Sequence, residues 1–208
     1  MTIEKGVAWG KIAPTPFGVV TARDEEALSR AVRDGATHVA LLSGDLLRAL
    51  GPTTTQRPIV VHQLSLQVPC DIMEITLDEH VQTTAVSTIQ IGSTYRPRVW
   101  VSSGGFIGRL NVVTRAHPND GVIDALEFDA GLRPRQLVNI RRRMRTGDHL
   151  PHPQLSVRRG SEYHWQGTTE RDRPHLTVDG RRYGRVNHVT IVVRPDAFVL
   201  CVPREQPL

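Results

Sequence analysis

The densest run of side chains able to do chemistry is His117-Pro118-Asn119-Asp120-Gly121-Val122-Ile123-Asp124. Asn-Asp-Gly ahead of a β-forming run is a tight turn built from residues that tolerate left-handed backbone. A carboxylate among carbonyl oxygens also suits a hard cation such as Mg²⁺ or Ca²⁺. Both readings stay open for Asp120. Asp179-Gly180 lies between two β-forming runs and offers a hairpin turn or a carboxylate base. Ser43-Gly44-Asp45 follows an apolar run and precedes a short helical one. Such a turn can aim backbone N–H groups at a phosphate, or can be an ordinary turn. His149 and His152 are three apart, but Pro151 breaks the helix that would align them on a metal. Arg141-Arg142-Arg143 with Arg145 could grip phosphates of a lipid headgroup or of nucleic acid. No G-x-S-x-G elbow is present, which removes the corresponding serine-hydrolase chemistry.

The elements that must position these groups fall into two classes. Residues 17–20 form a short apolar strand, and Thr21 with Asp24 has the spacing of a capping box. Residues 24–34 place Ala27, Leu28, Ala31 and Val32 on one helical face, acids crowd the first turn, and Gly35 stops the helix. The apolar run 38–42 reads as a buried parallel strand, which completes a βαβ unit. Beyond Pro58 the chain turns β-rich, with runs at 59–68, 71–78, 81–91, 98–102, 122–128, 155–158, 163–166, 175–178, 189–193 and 197–202. Many short strands with frequent turns argue for a sandwich or barrel. One helix interrupts them at 134–145, with Leu137, Ile140 and Met144 on one face. The expected fold is therefore α/β plus β. A small N-terminal α/β unit, residues 1–60, packs on a predominantly antiparallel β-sandwich, residues 61–208.

Composition narrows the class. The 208 residues are 39 % hydrophobic and 23 % charged, enough for a real core. No apolar run approaches the length of a membrane span, and the first residues lack the pattern of a signal peptide. Two cysteines, Cys70 and Cys201, exclude a disulfide framework and fit a reducing cytoplasm. Basic residues number 26 against 21 acidic, a net charge of +5. Residues 1–110 are balanced, so the excess lies in 111–208, and all but Lys5 and Lys11 are arginine. That half suits an anionic partner: nucleic acid, a membrane surface or a phosphorylated substrate. Trp9, Trp100 and Trp165 are candidate anchors at a membrane interface. Nothing resembles a base-stacking platform, so nucleic acid ranks last among the partners.

Arg115-Ala116-His117-Pro118-Asn119-Asp120-Gly121-Val122-Ile123-Asp124 resembles the P-x-A-x-P-x-D-G-x-L-D signature of the diacylglycerol kinase and sphingosine kinase-type lipid kinases. Val101–Gly108 is similar to the glycine-rich segment before that signature, Arg143–His149 to its R-x-x-x-G-x-H stretch, and Val178-Asp179-Gly180 to its D-G-E motif. The blocks agree in order and spacing from about residue 65 to 203. The resemblance implies a nucleotide-binding α/β lobe with a G-G-D-G-T loop and a β-sandwich that holds the lipid acceptor. It implies ATP and Mg²⁺ as cofactors, Asp179 as the general base, and Gly44 and Asp45 at the ATP phosphates. Asp120 then corresponds to a structural magnesium ligand, with the backbone carbonyls of His117 and Val122 as its partners. Asp124 corresponds to the closing acid of the signature. The sequence departs from the pattern in three places. Only Gly44 and Asp45 of the G-G-D-G-T loop are present, the first lobe is short with Lys5-Gly6 as its sole basic phosphate contact, and position 181 is Arg where the family has Glu. The expected function is ATP-dependent phosphoryl transfer to a lipid hydroxyl. The alternative is an inactive lipid- or partner-binding relative, and less favoured is a nucleic-acid-binding module. The implied setting is the cytoplasm or the inner membrane surface, and a homodimer or a partner chain could complete the short lobe.

Overall fold

A computed structural model describes residues 9–51, 59–169 and 173–203. Lys5-Gly6 lies outside the described residues. The α/β unit comprises β1 (Lys11–Pro14), β2 (Val20–Ala22), α1 (Glu25–Arg33), β3 (His38–Leu41) and α2 (Asp45–Ala49). The chain continues through β4 (Leu64–Leu77), β5 (Val81–Ala85), β6 (Thr88–Gly92) and β7 (Pro97–Ser102). A small hairpin follows, β8 (Phe106–Ile107) with β9 (Leu110–Asn111), then β10 (Ile123–Phe128) and α3 (Pro134–Met144). The last strands are β11 (Leu155–Gly160), β12 (Glu162–Gln166), β13 (His175–Val178), β14 (Arg181–Arg185) and β15 (His188–Pro203).

The expected βαβ unit forms, with β2 and β3 parallel and α1 between them, but its first strand lies at Val20–Ala22 instead of 17–20: Phe17 is exposed and Gly18 takes a turn φ of 82°. Leu28 is fully buried, and Ala27, Ala31 and Val32 pack on the same core. The cap differs from expectation. Thr21 is in β2, paired with Ala40, and Asp24 itself caps α1 by accepting the Ala27 N–H at 2.9 Å. The strand pairing holds Thr21 in the sheet, so the cap falls to Asp24, the first residue beyond β2 with a side chain that caps well.

Two strands that the sequence suggests as four are continuous. β4 runs unbroken through Pro69. Val199, opposite Pro69, turns its N–H away to Thr37. Pro69 therefore sits at a non-hydrogen-bonded pair, where its missing N–H costs no bond to β15. β15 is likewise single, with a register break between Arg194 and Phe198 where Asp196 takes a φ of 51°.

β4 and β15 pair along their length and pass through both units. One half joins β1, β3 and β2 in the order β1-β4-β15-β3-β2, and the other half carries β5 on β4 and β12 on β15. Val68, Cys70, Ile72, Phe198 and Leu200 feed the α/β core, while Met73, Ile75, Val189 and Ile191 feed the sandwich core. The units expected at 1–60 and 61–208 thus share two strands. The second sheet is wholly antiparallel, in the order β11-β10-β7-β6-β13-β14. Its inner face packs Ile89, Ile91, Val99, Val101, Ile123 and Leu176 against the first sheet. Its outer face sets Trp100, Leu126 and Phe128 against Leu137, Ile140 and Met144 of α3, as the helical spacing predicts. With both faces covered, β7 and β10 are buried almost throughout.

Candidate functional site

One end of the second sheet abuts the α/β unit. The Asp179 N–H bonds Thr88 O, Thr88 pairs with Ser102, and Asp124 pairs with Arg159 in the adjoining strands. Asp179 and Asp124 therefore stand at the same end, separated by the three strand steps from β13 to β10. At about 4.8 Å per step the spacing is about 14 Å. Two groups of carboxylates result, too far apart to share an ion.

The first group is built around Asp179. Asp179 and Gly180, with φ of 46° and 83°, form the two-residue turn between β13 and β14. Positive φ at both positions is the turn that suits the twist of a hairpin. The side chain reaches the segment between β5 and β6. Its Oδ2 accepts the Val86 N–H at 2.8 Å, and Oδ1 accepts those of Ser87 at 3.0 Å and Thr88 at 2.8 Å. Burial pushes its pKa up to about 7, against the three N–H bonds that favour the anion, and the charge of nearby Glu25 adds to the rise.

Glu25 links this carboxylate to Asp45. It accepts the Leu46 N–H at 3.1 Å, and a Cβ on Gly44 would overlap its carboxylate, so Gly44, at φ 147°, is fixed as glycine. Asp45 opens α2 and uses Oδ2 to accept the Gly108 N–H at 2.7 Å from the turn of the β8–β9 hairpin. Gly104 lets α2 approach, since a Cβ there would strike Ala49. Burial is the main cause that raises the pKa of both Glu25 and Asp45. Sequence reasoning assigned Glu25 only to the helix dipole. Its role depends on a partner twenty-one residues away. Arg181 follows Asp179-Gly180, where the resemblance implies an acid, and its guanidinium lies 5.4 Å from the Tyr183 ring centre.

The second group surrounds Asp120. Gly121 has a φ of 67°, and Asp120 Oδ1 accepts the Val122 N–H at 3.1 Å, so the turn expected at Asn-Asp-Gly is present. Arg159 bridges Asp120 Oδ2 at 3.0 Å and Asp124 Oδ1 at 2.6 Å. Both oxygens of Asp120 are thereby engaged. In the donor set implied for magnesium, Asp120 with the carbonyls of His117 and Val122, the carboxylate is already shared: a guanidinium supplies positive charge at Oδ2, and Oδ1 accepts the Val122 N–H. Burial, with repulsion from Asp124 and Asp71, outweighs the Val122 N–H and Arg159 and raises the Asp120 pKa to about 6. His117 packs edge-on against Trp9 and accepts the Asn119 N–H through Nδ1 at 3.3 Å.

Asp71, which sequence reasoning passed over, ties this turn to the frame. Its Oδ2 accepts the Gly121 N–H at 2.8 Å and its Oδ1 the Asp196 N–H at 3.0 Å. Its own N–H donates to Pro118 O. It sits opposite the β15 irregularity, so one buried carboxylate holds the signature turn against the strand that joins the two units. Nothing in the local pattern around Asp71 signals this, because its partners lie 50 and 125 residues away.

Beside Asp124 opens a cleft of about 570 Å³. Val113, Leu150, Pro151, Leu155 and Val157 form its apolar wall, and Thr114, Arg115, Asp124, His152 and Arg159 its polar one. Asp124, 1 % exposed, leaves Oδ2 without a hydrogen-bond partner there. The two histidines of the 149–152 stretch are not brought together on an ion. His149 is buried and bonds Val112 O at 2.9 Å through Nε2, while His152 accepts the Gln154 N–H. Trp100 is buried beneath α3 and Trp165 packs on the sandwich core, so neither serves as an interfacial anchor.

No family model matches the sequence, and no curated protein matches it. Solved structures do match. A diacylglycerol kinase from Bacillus anthracis str. Sterne superposes with a TM-score of 0.56 at 11 % identity, over 89 % of this chain and 75 % of that one. Two further chains from that organism, each described as a putative diacylglycerol kinase, give 0.58 and 0.57 at 10 % and 9 % identity, over 89 % of this chain and 77 % of theirs. The α/β unit on an antiparallel sandwich is the fold of those proteins.

Proposed function

We propose that the chain is a phosphotransferase of the lipid-kinase type, which passes the γ-phosphoryl group of ATP to a lipid hydroxyl. The supporting observation is the convergence of Asp45 and Asp179, from separate units, on one glycine-lined junction through Glu25. Phosphoryl transfer asks the protein mainly for alignment, charge neutralisation and a group to accept the hydroxyl proton. Asp179 suits the last role. Its backbone bonds fix its orientation, and its Oδ2 accepts a single N–H and keeps a lone pair for the acceptor's proton. A pKa near 7 places it where a general base works best. The Gly108 bond engages only Oδ2 of Asp45, so Oδ1 is available to an ATP-bound Mg²⁺. That ion would neutralise phosphate charge. The cleft beside Asp124, with its wall of Val113, Leu150, Pro151, Leu155 and Val157, offers room for the hydrocarbon part of an acceptor. A lipid acceptor would place the enzyme at the cytoplasmic face of a membrane.

Arg181 favours a second reading, an inactive lipid-binding relative, because a cation replaces the acid that would follow the base. The test is transfer of labelled γ-phosphate from ATP to diacylglycerol or a sphingoid base in mixed micelles. Asp179→Asn should lower turnover by about 10²–10⁴-fold while its urea midpoint shows a folded protein. Undiminished turnover in that variant would remove Asp179 from the mechanism. Absence of wild-type turnover on every acceptor, with lipid binding retained, would select the second reading.

A further inference from the structure

The outer face of α3 carries arginines and no acid. Arg135, Val138, Arg142 and Arg145 form a stripe opposite the buried Leu137, Ile140 and Met144, with Arg133 and Arg143 exposed on its flanks. Among the described residues none of these five arginines forms an ion pair. The helix has no acid in its first turn. Arginines in the last turn are accounted for by the helix dipole, which favours cations there. Arg133 and Arg135 are not, since they stand at the end where the dipole disfavours them. Like charges at i and i+3, as in Arg142 and Arg145, also weaken the helix. Helix formation therefore does not explain the stripe, and an anionic partner does.

We propose that this face, together with the turn between β6 and β7, docks on an anionic lipid bilayer. The turn carries Tyr95, 83 % exposed and near Arg141 of α3. Val138, in the middle of the stripe, is 55 % exposed. An aromatic ring and an aliphatic side chain among arginines match a headgroup layer, where apolar groups enter beside lipid phosphates. A nucleic-acid backbone would give Val138 nothing to bury against. The C-terminal end of α3 leads directly into the loop whose Leu150, Pro151 and His152 line the cleft beside Asp124. Docking through α3 would bring the cleft mouth to the lipid. This last point rests on the lipid-kinase reading, whereas the docking itself requires no phosphoryl transfer.

Co-sedimentation of the full chain with vesicles, without ATP, tests the proposal. Vesicles of equal parts phosphatidylglycerol and phosphatidylcholine should carry the protein down, and vesicles of phosphatidylcholine alone should not. Each arginine near an anionic surface contributes about 1 kcal/mol, so the triple variant Arg142→Gln, Arg143→Gln, Arg145→Gln should bind about 10²-fold more weakly. Tyr95→Ala should weaken binding by a smaller factor, and the control Arg182→Gln on the β14 edge should leave it unchanged. All these positions are exposed, and thermal unfolding verifies that the variants are folded. Equal binding by the triple variant, equal loss in the control, or tight binding of duplex RNA with no vesicle binding would overturn the proposal. Loss of kinase turnover in Asp179→Asn with intact vesicle binding would separate the two questions.

Discussion

Replacing Arg159 by leucine isolates the ion-pair network that holds the signature turn. In the native protein Arg159, with its side chain 47 % exposed, neutralises Asp124, whose side chain is 1 % exposed, and also holds Asp120. Removing one partner of a fully buried pair costs about 3–5 kcal/mol, because the remaining charge stays buried without compensation. Solvent reaches the guanidinium here and screens part of the interaction, which brings the expected cost to about 2–3 kcal/mol. For a chain of this size that corresponds to about 5–10 °C in Tm. The pH dependence carries its own signature. Burial already raises the Asp124 pKa, and Arg159 holds it down. Without Arg159 the folded-state value climbs further above that of the unfolded chain. The folded variant then binds a proton that the unfolded chain has released, so its stability falls as pH rises through that window. The deficit relative to wild type should be smallest in acid and complete at neutral pH. Urea unfolding of Arg159→Leu, Asp124→Asn and the double variant across pH would measure it, and the double variant should recover part of the loss. A cost below about 0.5 kcal/mol, the level of an ordinary surface substitution, or a deficit that ignores pH, would refute the ion-pair account. Because a guanidinium stands where the resemblance implies magnesium, EDTA should leave the Tm of the wild type unchanged. A marked Mg²⁺-dependent rise would place an ion there after all.

Other consequences can be checked separately. Asp179→Ala strips the acceptor from three backbone N–H groups and should cost more than about 3 kcal/mol by urea unfolding, whereas Asp179→Asn, which keeps one carbonyl oxygen, should cost clearly less. The raised pKa of Asp179 means that stability falls as pH rises from the ordinary carboxylate range through about 7, and this slope should shrink in the Asn variant. Gly44→Ala forces a Cβ onto the Glu25 carboxylate at a positive φ and should destabilise by about 1–3 kcal/mol, with Gly18, also at positive φ but with open space around a Cβ, substituted as a comparison. Cys70 and Cys201 are both buried, and burial raises the pKa of each thiol, that of Cys201 to about 11. A thiol-reactive dye should label neither until the protein unfolds.

Local chemistry determined much of this protein. Helical spacing identified the faces of α1 and α3, and the buried set Leu137, Ile140 and Met144 agrees residue for residue. Asn119-Asp120-Gly121 and Asp179-Gly180 could be read as turns because their backbone demands belong to the residues themselves. The order of the motif blocks indicated an α/β unit on a sandwich, and the solved structures share that fold. Tertiary structure alone decided what the carboxylates meet. Asp71 holds partners 50 and 125 residues away, Arg159 reaches Asp124 across 35, and Asp179 caps a segment more than 90 residues upstream. It also decided that Pro69 and the Pro195-Asp196 irregularity interrupt neither β4 nor β15, because a proline's missing N–H matters only if the sheet turns that edge toward a neighbour. Propensity and periodicity act over one or two turns of chain. Ion pairs, buried acceptors and strand register are settled by neighbours that only the folded chain brings together.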